Sequence, residues 1–180
     1  GATGLDAFTT ITTTDSGDFL VTGYTKSYNP GGGQDAATAK INGNGTLVWY
    51  RSFGGYQDEL GAQLLETQTI NGHIFAGNTQ SYGSGGWDGM ICQITANGGL
   101  AGTKIIGSSI DEKIINMKVL PNGDGVYAGF ATFGNTSRVW VFRYSATNNL
   151  TWCKTYGLSG INFNARSFFV VNLVRSLISF

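Results

Sequence analysis

The sequence predicts an all-β protein: a β-propeller of about three four-stranded antiparallel blades, each of roughly 50 residues, with a partial fourth, belonging to a larger ring. Three observations carry this expectation. Landmarks recur in register: Gly23, Gly77 and Gly129 in T-G-Y-T, A-G-N-T and A-G-F-A, then Leu47, Leu100 and Leu150, Arg51, Lys104 and Lys154, and Gly54, Gly107 and Gly157. Each repeat holds four short runs of strand-forming residues separated by Asn, Asp and Gly turns. Helical periodicity is missing throughout, so strands are the elements to be placed.

The first repeat covers about 1–55. Ala7 to Thr13 is rich in β-branched residues, and the turn Asp15-Ser-Gly-Asp joins it to Phe19–Thr25. A polar stretch from Lys26 to Gln34, holding Pro30 and three glycines, leads to Asp35–Ile41. Asn42-Gly-Asn-Gly then turns the chain into Leu47–Phe53, an Asn-Gly hairpin signal. The second repeat, about 56–108, follows the same plan with Gly61–Thr69, His73–Thr79, Asp88–Thr95 and Leu100–Ile106. The third, about 109–158, gives Lys113–Leu120, Val126–Thr132, Val139–Tyr144 and Leu150–Tyr156. Residues 161–180 contain no glycine, although the preceding chain holds all 28, and read as an atypical partial repeat or closing segment. Propellers close with about four to eight blades. The remainder of a longer chain is therefore expected to complete the ring, with a second copy or another protein as the alternative.

Composition narrows the partners. Charged residues make up only 12% of the chain, and the eleven basic residues balance the eleven acidic ones. That leaves no basic face for nucleic acid or for an anionic membrane surface. No apolar stretch suggests membrane insertion, and GATGLDAF lacks the succession of regions found in a signal peptide. Cys92 and Cys153 stand outside any CxxC or Cys/His array, which argues against thiolate metal binding. Buried free thiols are the preferred reading, with a disulfide kept open.

Asp58-Glu59, Gly77, Asp88, Asn97-Gly98, and Trp49 with the following Phe53-Gly54-Gly55 together resemble the units of bacterial secreted β-propeller repeat proteins. Those units read G-G-x-x-x-D-E, strand, D-G or N-G turn, a strand ending A-G-x-T, a glycine-rich loop with Asp, then N-G-x-L-x-W. The resemblance covers about residues 4–160. Arg138 replaces the loop aspartate in the third repeat, and Asp6-Ala7 stands for the Asp-Glu pair in the first. A weaker likeness is to quinoprotein-like propellers, whose repeats place a tryptophan five residues before a glycine, as in Trp49 to Gly54 and Trp152 to Gly157; Gly102 breaks it in the second repeat. Both resemblances imply a propeller scaffold, and neither implies an activity.

Candidate sites follow from residues in and out of the repeat register. Asp6, Asp58, Glu59, Asp111 and Glu112 fall at one repeat position, where carboxylate oxygens suit a hard cation such as calcium. The preferred alternative is a structural corner, each carboxylate accepting backbone N–H bonds, because a corner is needed in every blade. The same logic covers Asp35 and Asp88. Trp49, Trp152, Tyr24, Phe130 and Tyr156 are in register and are expected to pack blade on blade. Tyr28, Tyr82 and Trp87 lie in or beside the glycine-rich loops, outside the register, and are the ligand-binding candidates, with glycans as the ligand class. His73, the only histidine, lacks a nucleophile context and is expected to be a satisfied turn residue. No Walker loop, dinucleotide fingerprint or HExxH occurs, and no cofactor is expected. Asn44-Gly-Thr, Asn135-Thr-Ser and Asn149-Leu-Thr are N-glycosylation acceptors if the chain enters a eukaryotic secretory route.

The functional expectation is a non-catalytic scaffold or protein-interaction module of a secreted or surface protein, with protein partners and a homo-oligomer among the options. A carbohydrate-binding propeller and a quinoprotein-like enzyme fragment are the alternatives.

Overall fold

The computed structural model describes residues 4–27, 33–68 and 71–157, which form twelve strands and no helix. β1 (Asp6–Thr13), β2 (Phe19–Thr25), β3 (Asp35–Ile41) and β4 (Leu47–Phe53) make the first sheet. β5 (Glu59–Thr67), β6 (Gly72–Thr79), β7 (Asp88–Thr95) and β8 (Leu100–Ile106) make the second. β9 (Asp111–Val119), β10 (Gly125–Phe133), β11 (Thr136–Tyr144) and β12 (Leu150–Tyr156) make the third. Within each sheet every strand pairs antiparallel with its sequence neighbour, so all three are simple meanders. The expected all-β class, the three four-stranded antiparallel sheets and their order are therefore present.

Tight turns fix the hairpins. At 14–18, 42–46, 95–99, 120–124 and 145–149 the first residue's N–H donates to the fifth residue's carbonyl, and the fourth residue's N–H to the first's. The fourth residue is Gly17, Gly45, Gly98, Gly123 or Asn148, each at positive φ. This is the three-residue hairpin loop closed by a left-handed residue. In Asn42-Gly-Asn-Gly it is Gly45, not the glycine of the first Asn-Gly pair, that supplies the left-handed turn.

The third sheet departs from the repeat template. β10 and β11 meet through Gly134-Asn135 alone, with Phe133 paired to Thr136, where the other two sheets use a long glycine-rich loop. The strand expected to begin at Val139 therefore begins at Thr136.

The recurring glycine has a steric cause. A Cβ at Gly23, Gly77 or Gly129 would overlap the carbonyl oxygen of Ala7, Leu60 or Lys113 on the first strand of its own sheet. The pairing slips near that point in every sheet: between Phe8 and Thr10, between Gly61 and Gln63, and opposite Ala128 and Gly129. These bulges press the first strand onto the second. Gly129→Ala is expected to cost about 1–3 kcal/mol, because both clashing groups are backbone and cannot rotate away; a urea unfolding curve measures it.

The sheets pack side by side through their first strands, β5 against β1, β2 and β3, and β9 against β5, β6 and β7. One core, between the first two sheets, gathers Leu20, Ala36, Trp49, Leu64, Phe75, Met90, Cys92 and Ile94. The other, between the second and third, gathers Ile74, Ala76, Ile91, Ile114, Met117, Tyr127 and the β11 aromatics Trp140, Phe142 and Tyr144. Polar groups also cross these junctions. The Thr12 hydroxyl donates to the Leu64 carbonyl at 2.7 Å, Asn78 pairs with both backbone groups of Ile114, and the Met117 N–H donates to Gln63 Oε1.

Both cysteines are free. Cys92 is buried, and burial raises its thiol pKa to about 11. Cys153 is exposed, contrary to the expectation of two buried thiols, because β12 is the last strand of its sheet; its sulfur accepts the Trp140 indole N–H at 3.1 Å.

Candidate functional site

The carboxylates singled out by register sit where one sheet hands the chain to the next. Glu59 begins β5 and is fully buried. Its two oxygens accept the Gly55 N–H at 2.7 Å, the Thr79 hydroxyl at 2.7 Å and the Ser81 N–H at 3.2 Å. Glu112 does the same work one repeat later, accepting the Ser108 N–H and hydroxyl at 3.1 and 2.6 Å. Asp58 accepts the Gln34 N–H at 2.9 Å, and Asp111 accepts the Trp87 N–H at 2.9 Å. In the first sheet Asp6 accepts the Thr25 and Ser27 hydroxyls, which hold its carboxyl below the usual range. Each carboxylate thus ties a first strand to a preceding loop or to the end of its own second strand. Among the described residues no three His, Cys, Asp or Glu side chains are grouped to hold a metal ion.

Asp35 and Asp88 begin the third strands of their sheets and are buried. Burial raises both pKa values, reinforced by the nearby charges of Glu59 for Asp35 and of Glu112 and Asp111 for Asp88. Asp88 Oδ2 accepts the Ser84 N–H at 2.9 Å, which opposes the rise, whereas its buried Oδ1 has no partner.

The loop aromatics are separated. Tyr28 lies outside the described residues. Tyr82 is half exposed and donates its hydroxyl to the Gly54 carbonyl at 3.1 Å, bracing its loop to the end of the first sheet. Trp87 precedes β7, and the Lys113 ammonium lies 3.8 Å above its ring centre. One face of that indole is therefore taken by a cation. Burial lowers the Lys113 pKa, opposed by Asp111 and Asp58. Asn44, Asn135 and Asn149 are all exposed, in or beside the 42–46, β10–β11 and 145–149 turns.

His73 differs from its expectation of a satisfied turn residue. It lies in β6, is 1% exposed, and stacks edge-on to Trp49 at 5.4 Å. Neither ring nitrogen makes a hydrogen bond, because the ring points into the core between the first two sheets. Burial, and then the Lys40 charge, lower its pKa, opposed by the nearby Thr95 backbone, whose approach falls short of hydrogen-bond geometry, and by the Glu66 charge. The folded state therefore binds this proton less readily than the unfolded chain, whose histidine titrates near 6.5. Stability is full above about pH 6.5 and falls as pH drops below it toward the folded pKa. Thermal melts of wild type between pH 7 and pH 5 should show this fall, and His73→Phe should flatten it.

Two further constellations escaped the sequence reading. Asp18 pairs with Lys40 at 3.0 Å, and Asp124 pairs with Arg143 through Nε and Nη2. They occupy one repeat position, and each carboxylate, at the end of a tight turn, has its pKa lowered by its cationic partner. The second sheet has Gly72 and Gln93 there instead. Repeat alignment of Lys40 with Arg143 was the signal available in sequence.

A cavity of about 10 Å³ between the second and third sheets, lined by Thr67, Ile74, Tyr127 and Tyr144 among others, has room for roughly one water molecule. Its lining offers no nucleophile beside a base. Scanning the chain against protein-family models gives no match, and searching the curated proteins gives none either.

Proposed function

We propose that the three sheets are consecutive blades of a β-propeller and that the chain acts as a non-catalytic scaffold, a protein-interaction module of a secreted or surface protein. The observation that carries the architecture is one repeat position. Ile11, Leu64 and Met117 are equivalents, each paired with the residue two before the recurring glycine. Leu64 is 1% exposed and Met117 3%, each covered by the preceding sheet, while Ile11, which no described sheet covers, is 64% exposed. A residue that is buried whenever a sheet precedes it belongs to a series of stacked blades. The scaffold reading is supported by the repeat carboxylates, whose oxygens are engaged by hydroxyls and backbone N–H groups of the loops.

Two measurements test the proposal. Small-angle scattering should give the profile of a flat disc or disc sector, and a long stack of sheets would refute the propeller. Calorimetric titration with calcium should give no saturable heat, and the absorption spectrum of the purified protein should show protein bands alone. Saturable calcium binding lost in Glu59→Gln, or a bound chromophore, would refute the scaffold reading.

A further inference from the structure

The first two sheets are tied by a side chain that the second and third sheets lack. At the first junction Trp49 of β4 is 6% exposed and makes three contacts with the second sheet. Its indole N–H donates to the Ala96 carbonyl at 3.1 Å, its ring meets the His73 ring edge-on at 5.4 Å, and it lies so close to Gly98 that a Cβ there would stand 2.9 Å from the indole.

Strand register locates the equivalents one sheet later. Gly102 pairs with Gln93 as Trp49 pairs with Lys40, so a glycine stands at the tryptophan position. Gly125 precedes Gly129 by the same interval that separates His73 from Gly77, which gives it the place of His73. The 145–149 turn has the hydrogen bonds of the 95–99 turn, so Ala146 and Asn148 correspond to Ala96 and Gly98. Asn148 keeps the left-handed backbone, φ 63° against 84° at Gly98. Gly125, Ala146 and Asn148 all line the cavity of about 10 Å³ between the second and third sheets. That cavity is therefore the remnant of the indole slot, narrowed by Tyr127 and Tyr144, which also line it.

One wall of the slot carries an unmet polar group. Thr67, at the end of β5, is 3% exposed, and its hydroxyl oxygen has no hydrogen-bond partner. Burying a hydroxyl unpaired is costly, and buried polar groups are almost always satisfied by protein or by ordered water. The lining selects the occupant. It holds no charged side chain to retain an ion, and the space is too small for an organic ligand. Its residues offer the Thr67 hydroxyl, the Gln93 amide and the Tyr144 hydroxyl beside the backbone of the 145–149 turn, enough for the two to four partners that a buried water takes.

We propose that this cavity is a binding site for one ordered water molecule, which accepts the Thr67 hydroxyl and donates to the Ala146 carbonyl. The water joins the second sheet to the third at the position where the Trp49 indole joins the first to the second. A bridging water is nearly as good a link as a direct hydrogen bond. The two junctions thus meet one polar requirement by different means, an indole in one and a solvent molecule in the other.

A high-resolution crystal structure of the wild-type chain should show one water within about 3.2 Å of both Thr67 Oγ1 and the Ala146 oxygen. Thr67→Val keeps the shape of the side chain and removes the hydroxyl; it should lose this water and lower the Tm, whereas Thr67→Ser should retain the water. In a dry cavity Thr67→Val deletes only an unpaired polar group, so an unchanged or raised Tm overturns the proposal. Xenon density in pressurised crystals also overturns it, because xenon enters dry apolar cavities. A wild-type map in which Thr67 Oγ1 meets a protein acceptor directly does the same, and the wild-type map and xenon decide the matter even where Thr67→Val fails to fold.

Discussion

Trp49→Ala is expected to lower the unfolding free energy by about 4 kcal/mol, within the range for removing a buried large aromatic. The indole is 6% exposed and belongs to the core between the first two sheets with Leu20, Leu64 and Phe75. Truncation leaves a cavity there, strips the Ala96 carbonyl of its donor, and removes the edge-on contact that closes off the His73 ring. At the second junction the equivalent position is Gly102, and the space is filled from the opposite side by Tyr127, Trp140 and Phe142, packed at centroid distances of 4.9 Å for Tyr127–Phe142 and 4.4 Å for Trp140–Phe142. The second junction therefore takes its aromatic bulk from the third sheet, whereas the first draws on both sides, with Trp49 and Phe53 facing Phe75. Trp152→Ala is the internal control: it should cost far less, since its indole is only partly buried. Urea midpoints at constant slope compare the two variants. A loss below about 1 kcal/mol for Trp49→Ala would mean that the junction is not a packed core.

Twelve strands were legible because two local signals agreed along most of the chain. Glycine or Asn at the left-handed turn position marked the hairpins, and β-branched and aromatic runs marked the strands between them. The repeat template also concealed something. It assigned the third repeat a loop before Val139 by analogy with the glycine-rich loops of the other two, although Gly134-Asn135 is itself a two-residue hairpin signal. The corner carboxylates were legible as a position but not as a set of bonds. Thr79 and Thr25, which donate to Glu59 and Asp6, lie 20 and 19 residues away and meet them only through strand pairing. The lack of hydrogen bonds at His73 was not legible either, since an imidazole after Asn-Gly reads as a satisfied turn residue until the neighbouring sheet is seen to bury it. Trp87 looked like a stacking platform because nothing local in sequence brings Lys113 over it.

Glu59→Ala should destabilise the protein by about 4 kcal/mol, since three donors that now meet a carboxylate would be left inside the junction without one. For a chain of this size that corresponds to a drop in Tm of roughly 10 °C. Gly55, Thr79 and Ser81 come from the linker before β5, the end of β6 and the loop after it, so one side chain reinforces the corner at which Glu59 also pairs with Thr79 in the backbone ladder. The Glu59 N–H adds a fourth tie, donating to the Gln34 carbonyl at 2.6 Å, and that bond survives the substitution because it is backbone to backbone. The result also decides between a corner and a cation site. If the carboxylate acts through these donors alone, chelator leaves the wild-type Tm unchanged and calcium does not raise it. A cation-held corner would instead lose stability on chelation, down to the level of Glu59→Ala, and the variant would then be insensitive to chelator. Glu112→Ala should follow the same pattern with a smaller loss, because Ser108 alone supplies both donors seen at its carboxylate.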